Sequence, residues 1–159
     1  SLMNLQGSHD RARILNALVK RDYADLLPRD RGAQRLPDRL KQLAVRRMKQ
    51  MLQVITALPG MPALYYGDEA GMEGASDPFC RGTFPWGKED TDLQAFVREQ
   101  FRQRNGRPAL QVGLLEVAAE DADTLLIWRG PDGDGLDAFG QPLADKPFVL
   151  RLTRDGERL

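Results

Sequence analysis

The chain has 159 residues, room for one domain or a domain with a small appendage, and 42% of them are apolar, so it can pack a core and is not a disordered chain. Lys plus Arg and Asp plus Glu balance at 23 each, which excludes a general electrostatic pull toward nucleic acid or an anionic membrane. No apolar run is long enough for a membrane-spanning helix, and the single cysteine, Cys80, excludes an internal disulfide and a cysteine metal cage.

Leu2 to Leu5 reads as a short strand, Gly7 to Asp10 as a loop, and Ala12 to Val19 as a short helix. Pro28 to Leu36 is polar and Arg-rich and is expected to be a loop. Asp38 to Ala57 carries the clearest helical signal. Leu40, Leu43, Met48, Met51, Leu52 and Ile55 share one face, Pro37 suits its start, and Pro59-Gly60 ends it. Ala63 to Tyr66 is an unbroken apolar run, as expected for a strand buried on both faces of a parallel sheet.

Gly67 to Lys88 is a Gly- and Pro-rich loop, and loops of that length in compact proteins usually serve function. A helix is expected from Asp92 to Arg104, with a capping box from Thr91 and Gln94 and a stop at Asn105-Gly106. Leu114 to Ala119, Thr124 to Arg129 and Phe148 to Leu152 then read as strands, with a turn at Pro131 to Gly135. The order predicts parallel α/β units followed by a small antiparallel β module.

Several residues attract attention, and each has a plain alternative. His9 and Asp10 could bind a polar ligand, or Asp10 could simply cap the helix that follows. Asp77 and Arg81 could share a ligand's hydroxyls, or form a surface ion pair of little energetic weight. Ser8-His9-Asp10 is not a catalytic triad, because three consecutive side chains point apart. Asp68-Glu69 reads as a turn rather than a metal site, since the chain has one histidine. Asp132 to Gly135 reads as a turn, because Leu136 stands where a calcium loop needs an oxygen ligand. The segment 29–49 holds eight basic residues and two acidic ones, but no aromatic side chains interleave with them, which fits a solvated helix face better than a nucleic-acid surface. No metal or other cofactor is expected.

Three segments together resemble the α-amylase superfamily of glycoside hydrolases, family 13, and its neopullulanase and cyclomaltodextrinase-like members. Asn4-Leu5-Gln6-Gly7-Ser8-His9-Asp10 is similar to the family's strand-seven motif, and Leu58 to Met72, through Tyr65-Tyr66-Gly67-Asp68-Glu69, to its strand-eight motif. Glu73 to Arg81 with Phe84-Pro85-Trp86 is similar to the loop after strand eight. The match covers roughly residues 3 to 112. Arg11 and Ala12 depart from the Thr and Pro that many relatives carry.

The resemblance implies a partial (β/α)₈ barrel, its last two β/α units, followed by a small antiparallel β module. It places the barrel portion at 1–110 and a truncated antiparallel domain at 111–159. The site is expected at the C-terminal ends of the strands. Asp10 takes the place of the carboxylate that stabilises the transition state, and His9, Asp77 and Arg81 take substrate-binding places. Tyr65, Phe84 and Trp86 offer ring faces.

The implied substrate is an α-glucan or maltooligosaccharide, with no nucleic-acid or membrane partner. The nucleophile and the general acid/base come from earlier strands in this family, so the chain is expected to be a fragment, inactive alone, of a retaining hydrolase. A non-catalytic carbohydrate-binding or interaction module is the alternative. Two strands cannot close a barrel, so a homo-oligomer is expected, and a monomer in light scattering would contradict it. A cytoplasmic setting is expected from the lone cysteine.

Overall fold

The computed structural model describes residues 2–154; Ser1 and the last five residues of the expected 111–159 module lie outside the described residues. The chain forms two compact units. Among the described residues one draws on 5–49 and 63–97, the other on 2–4, 50–62 and 98–154. The architecture is α/β with a small antiparallel sheet.

Strand β1 (Met3–Leu5) pairs with β2 (Met61–Ala63) in a two-stranded sheet. The Met61 amide donates to the Leu2 carbonyl at 2.8 Å and the Gln6 amide to the Ala63 carbonyl at 3.4 Å. The contacts advance in the same sense along both strands, so the pair is parallel. The second strand thus lies earlier than the apolar run Ala63 to Tyr66 suggested. The reason is local: Tyr65 to Gly71 closes a series of turns, with the Asp68 amide on the Tyr65 carbonyl and the Met72 amide on the Gly67 carbonyl, each at 3.0 Å. Leu64 and Tyr65 are half-buried and Tyr66 is exposed, rather than buried on both faces.

In the first unit, helix α1 is only Ile14–Leu18, shorter than the expected 12–19. A four-residue helix α2 (Pro28–Arg31) forms in the expected loop, begun by the fixed φ of Pro28 at its first position. Helix α3 runs Asp38–Ala57 as its periodicity demands. Leu43, Ala44 and Met48 are buried in this unit, and Leu52, Ile55 and Ala57 in the other. Helix α4 is Thr91–Asn105. Its cap is Asp90, not Thr91: the Asp90 carboxylate accepts from the Leu93 amide at 2.9 Å.

In the second unit, α5 (Pro108–Val112) precedes β3 (Leu114–Ala119), β4 (Thr124–Gly130) and β5 (Phe148–Thr153), an antiparallel sheet in the order β3-β4-β5. Ile127 sits opposite Val117 and Leu150. With Leu110 and Ala57 it forms the core of the unit, against which Val54, Phe148 and Leu152 pack. Asp132 closes the turn after β4 by accepting from the amides of Asp134 and Leu136 at 2.9 and 2.8 Å. Asp145, in the stretch that sequence leaves unassigned, caps α5 by accepting from the Ala109 amide at 3.0 Å.

Two buried arginines close the end of α3. The last carbonyls of a helix have no partner within it. Arg104 donates to the carbonyls of Thr56, Leu58 and Leu110 at 2.6, 3.1 and 2.9 Å, and also to Gly60. Arg129 donates to Ala57 at 2.6 Å and to Gly113 and Leu114. Burial, with the charge of Arg104 second, pulls Arg129 down to about 10, and burial lowers Arg104 as well.

Candidate functional site

The loop after β1 and the loop after β2 carry all four residues singled out in the sequence. His9 and Asp10 lie in a tight turn, in which the Asp10 amide donates to the Ser8 hydroxyl at 3.3 Å. Asp10 does not cap the next helix: Arg13 occupies the capping position of α1, and no side-chain cap bond is made there. The Asp10 carboxylate is therefore left to the surface, 3.1 Å from His9 Nε2, with both side chains well exposed.

Asp77, joined to Pro78 by a cis peptide bond, leads into a single 3₁₀ turn (Phe79–Arg81). That turn brings Arg81 Nε to 2.6 Å from the Asp77 carboxylate and an Arg81 terminal nitrogen to 3.8 Å from Asp10. Arg81 Nε also donates to the His9 carbonyl at 3.3 Å, and so does the buried Cys80 thiol at 3.1 Å. Burial acts to lower the Arg81 pKa, but the Asp77 carboxylate and its hydrogen bond outweigh this, and the net shift is upward. The four residues thus form one cluster with Arg81 at its centre. It offers carboxylate acceptors, guanidinium and imidazole nitrogens, and no buried nucleophile. A cleft of about 510 Å³ opens beside Asp10, lined also by Arg11, Lys20, Asp22 and Ser76.

Of the three ring faces, Tyr65 is used internally, with the Arg13 guanidinium 4.4 Å from its centroid. Phe84 packs against Trp86 at 4.6 Å, and Trp86 is 81% exposed, the open ring of the set. A second cleft, about 530 Å³, holds none of the four residues. One of its acids, Glu73, is already occupied, accepting from the Leu36 amide at 2.6 Å and pairing with Lys41 at 3.0 Å. Among the described residues no group of three or more His, Cys, Asp or Glu side chains is placed to hold a metal ion.

Sequence reasoning missed the pair beneath this cluster. Arg13 and Asp68 are both fully buried and meet at 3.4 Å. Arg13 is sandwiched between Tyr65 and Tyr66, 4.4 and 4.5 Å from their centroids, and donates to the Tyr66 carbonyl. Burial, only partly offset by Arg13, pushes the Asp68 carboxyl up to about 6. Periodicity places Arg13 merely in a short helix, and the only hint of burial is the apolar run after it.

A parallel strand pair with a polar cluster on the loops that follow each strand, and an antiparallel sheet later in the chain, agrees with the class that the comparisons with known proteins give: the α-amylase superfamily of glycoside hydrolases. The chain belongs to that superfamily, family 13, and matches a C-terminal part of its cyclomaltodextrinase-like enzymes. It is 39% identical over 97% of its length to an amylopullulanase of Thermoanaerobacter thermohydrosulfuricus, of which it covers 10%. It is 34% identical to a cyclomaltodextrinase of a Bacillus species over 48% of its length and 16% of that enzyme.

Among solved structures it resembles the cyclic α-maltosyl-(1→6)-maltose hydrolase of Arthrobacter globiformis in complex with cyclic α-maltosyl-(1→6)-maltose. The TM-score is 0.59 at 32% identity, over 80% of this chain and 24% of that one. No protein-family model matches the chain. The chain spans about a tenth of the length of the first of these curated relatives. No helix among the described residues is long and apolar enough to cross a membrane.

Proposed function

We propose that this chain supplies the sugar-holding rim of an α-glucan hydrolase, with residues 1–110 forming the last two β/α units of a (β/α)₈ barrel and 111–159 an antiparallel domain beside it. The observation that carries this reading is the convergence of Asp77 and Asp10 on Arg81, from loops that leave two paired parallel strands in the same direction. Exposed apolar side chains on those strands, Met3 at 59% and Met61 at 61%, support further elements packing against them in the whole protein.

In this reading Asp10 accepts hydrogen bonds from hydroxyls of the ring at the cleavage point, bonds that strengthen as the ring flattens toward its cation-like transition state. His9 donates to a hydroxyl of the same sugar. Asp77 and Arg81 pair with each other in the empty site and hold the next sugars on the non-reducing side. The nucleophile and the general acid/base lie outside this chain, roughly 5 Å apart as a retaining mechanism requires, so the chain alone has no hydrolytic activity.

The test is Asp10→Asn in the full-length gene product, assayed on maltooligosaccharides. The expected loss is on the order of 10²-fold or more in kcat, with KM little changed, because the bonds form fully only in the transition state. Unchanged turnover would overturn the assignment. Measurable maltooligosaccharide binding by a gene product without hydrolysis would favour the non-catalytic binding module instead.

A further inference from the structure

The loops after β1 and β2 meet on one side chain that touches neither Asp77 nor Asp10. Arg13 lies three residues after Asp10. Its backbone amide donates to the Gly74 carbonyl at 3.0 Å, and Asn16, on the next turn, accepts from the Gly74 amide at 2.9 Å. Gly74 must approach this closely: a Cβ there would stand 2.6 Å from the Phe79 carbonyl oxygen. The Arg13 guanidinium holds the Tyr66 carbonyl and the Asp68 carboxylate, and the Tyr66 hydroxyl in turn donates to the Gly82 carbonyl, next to Arg81, at 2.7 Å. The other Asp68 oxygen lies against Gly7, where a Cβ would come within 3.0 Å of it. Gly7 is three residues before Asp10. Asp68 therefore packs against the segment that leads into the turn carrying His9 and Asp10.

The chemistry of this pair is not that of a stabilising element. Arg13 Nε and one terminal nitrogen, and one Asp68 oxygen, are buried with no hydrogen-bond partner among the described residues. A buried ion pair with idle polar atoms is costly compared with an apolar pair of the same shape. A costly arrangement that ties down the backbone after the Asp10 turn and packs against the backbone before it is the kind of support that preorganises a turn.

We propose that Arg13 and Asp68 are positioning residues: the buried pair sets the placement of the Asp10 turn relative to the loop bearing Asp77 and Arg81. The proposal rests on the sugar-site reading above. It also has a readout independent of catalysis, because the Cys80 thiol is buried against the His9 carbonyl at 3.1 Å. Loosening the pair frees that thiol.

The experiment uses the full-length protein with Arg13→Lys, Asp68→Asn, and a destabilised control, Ile127→Val in β4. Iodoacetamide labelling of Cys80 is followed on its own peptide, alongside steady-state kinetics. Both site variants are expected to label roughly tenfold faster than wild type well below their melting temperatures, whereas the control labels at the wild-type rate. Both are expected to lose roughly tenfold in kcat with KM within about threefold.

Wild-type labelling in both site variants overturns the pair's role, whatever the kinetics. Faster labelling with wild-type kcat, when Asp10→Asn is inactive, also overturns it. Should Arg13→Lys fail to fold, Asp68→Asn decides alone by the same two readouts. An active Asp10→Asn enzyme, by contrast, removes the site reading itself, and the labelling result separates that failure from failure of the clasp.

Discussion

Both compact units bury arginine, and they use it differently. In the second unit Arg104 and Arg129 spend their donors on carbonyl oxygens at the end of α3 and around Gly113, and neither leaves a buried nitrogen without a partner. In the first unit Arg13 faces a carboxylate and two aromatic rings and keeps two nitrogens idle. The first arrangement closes a helix end that would otherwise be unsatisfied. The second is poorly justified as stabilisation and lies under the candidate site. The contrast teaches that equally buried arginines can hold different things: backbone carbonyls that close a helix end, or a single carboxylate and two rings in the loops after β1 and β2.

The sharpest way to break this comparison is Arg129→Met. It strands the carbonyls of Ala57, Gly113 and Leu114 and is expected to cost roughly 3 kcal/mol of stability, seen as a lower melting temperature. Turnover per folded molecule should stay at the wild-type level. A fall in kcat without a change in melting temperature would erase the distinction between the two kinds of arginine.

The next effect is smaller and depends on pH. The Asp68 carboxyl has a folded pKa of about 6, above its unfolded value near 3.8. An acid whose pKa is raised by folding binds protons more tightly in the native state, so its burial penalty is absent below about pH 4. The penalty grows between 4 and 6 and is complete above 6. Asp68→Asn lacks this titration, so its stability relative to wild type should be more favourable at pH 8 than at pH 4 by on the order of 1–3 kcal/mol, whatever the loss of the Arg13 counter-charge costs at both. Denaturant titrations at the two pH values check this, and the same mutant-minus-wild-type difference at both would contradict the raised Asp68 pKa.

Much of this architecture was legible because its signals are local. The apolar stripe of α3, the strands β3 to β5, and the turn at Asp132 follow from periodicity and turn chemistry. The grouping of His9, Asp10, Asp77 and Arg81 is suggested instead by the family resemblance of the motifs that carry them. What was illegible depends on tertiary partners. Strand β2 begins at Met61 despite Pro62, which an edge strand tolerates, and the turns from Tyr65 to Gly71 that end it are joined by Arg13, which donates to the Tyr66 carbonyl. Asp90 rather than Thr91 caps α4, a shift of one residue between two good capping types. Arg13 and Asp68, 55 positions apart in sequence, give no short-range sign of meeting.

The central claim is that the cluster around Arg81 is a sugar site, and it is tested most directly by calorimetric titration of the full-length protein with a maltooligosaccharide, wild type against Arg81→Ala. The Asp77–Arg81 pair is about half exposed, so its loss should leave the melting temperature almost unchanged. Affinity for the sugar should fall by roughly tenfold or more as its charge-assisted hydrogen bonds are lost. Equal affinity in a stably folded Arg81→Ala protein would contradict the account.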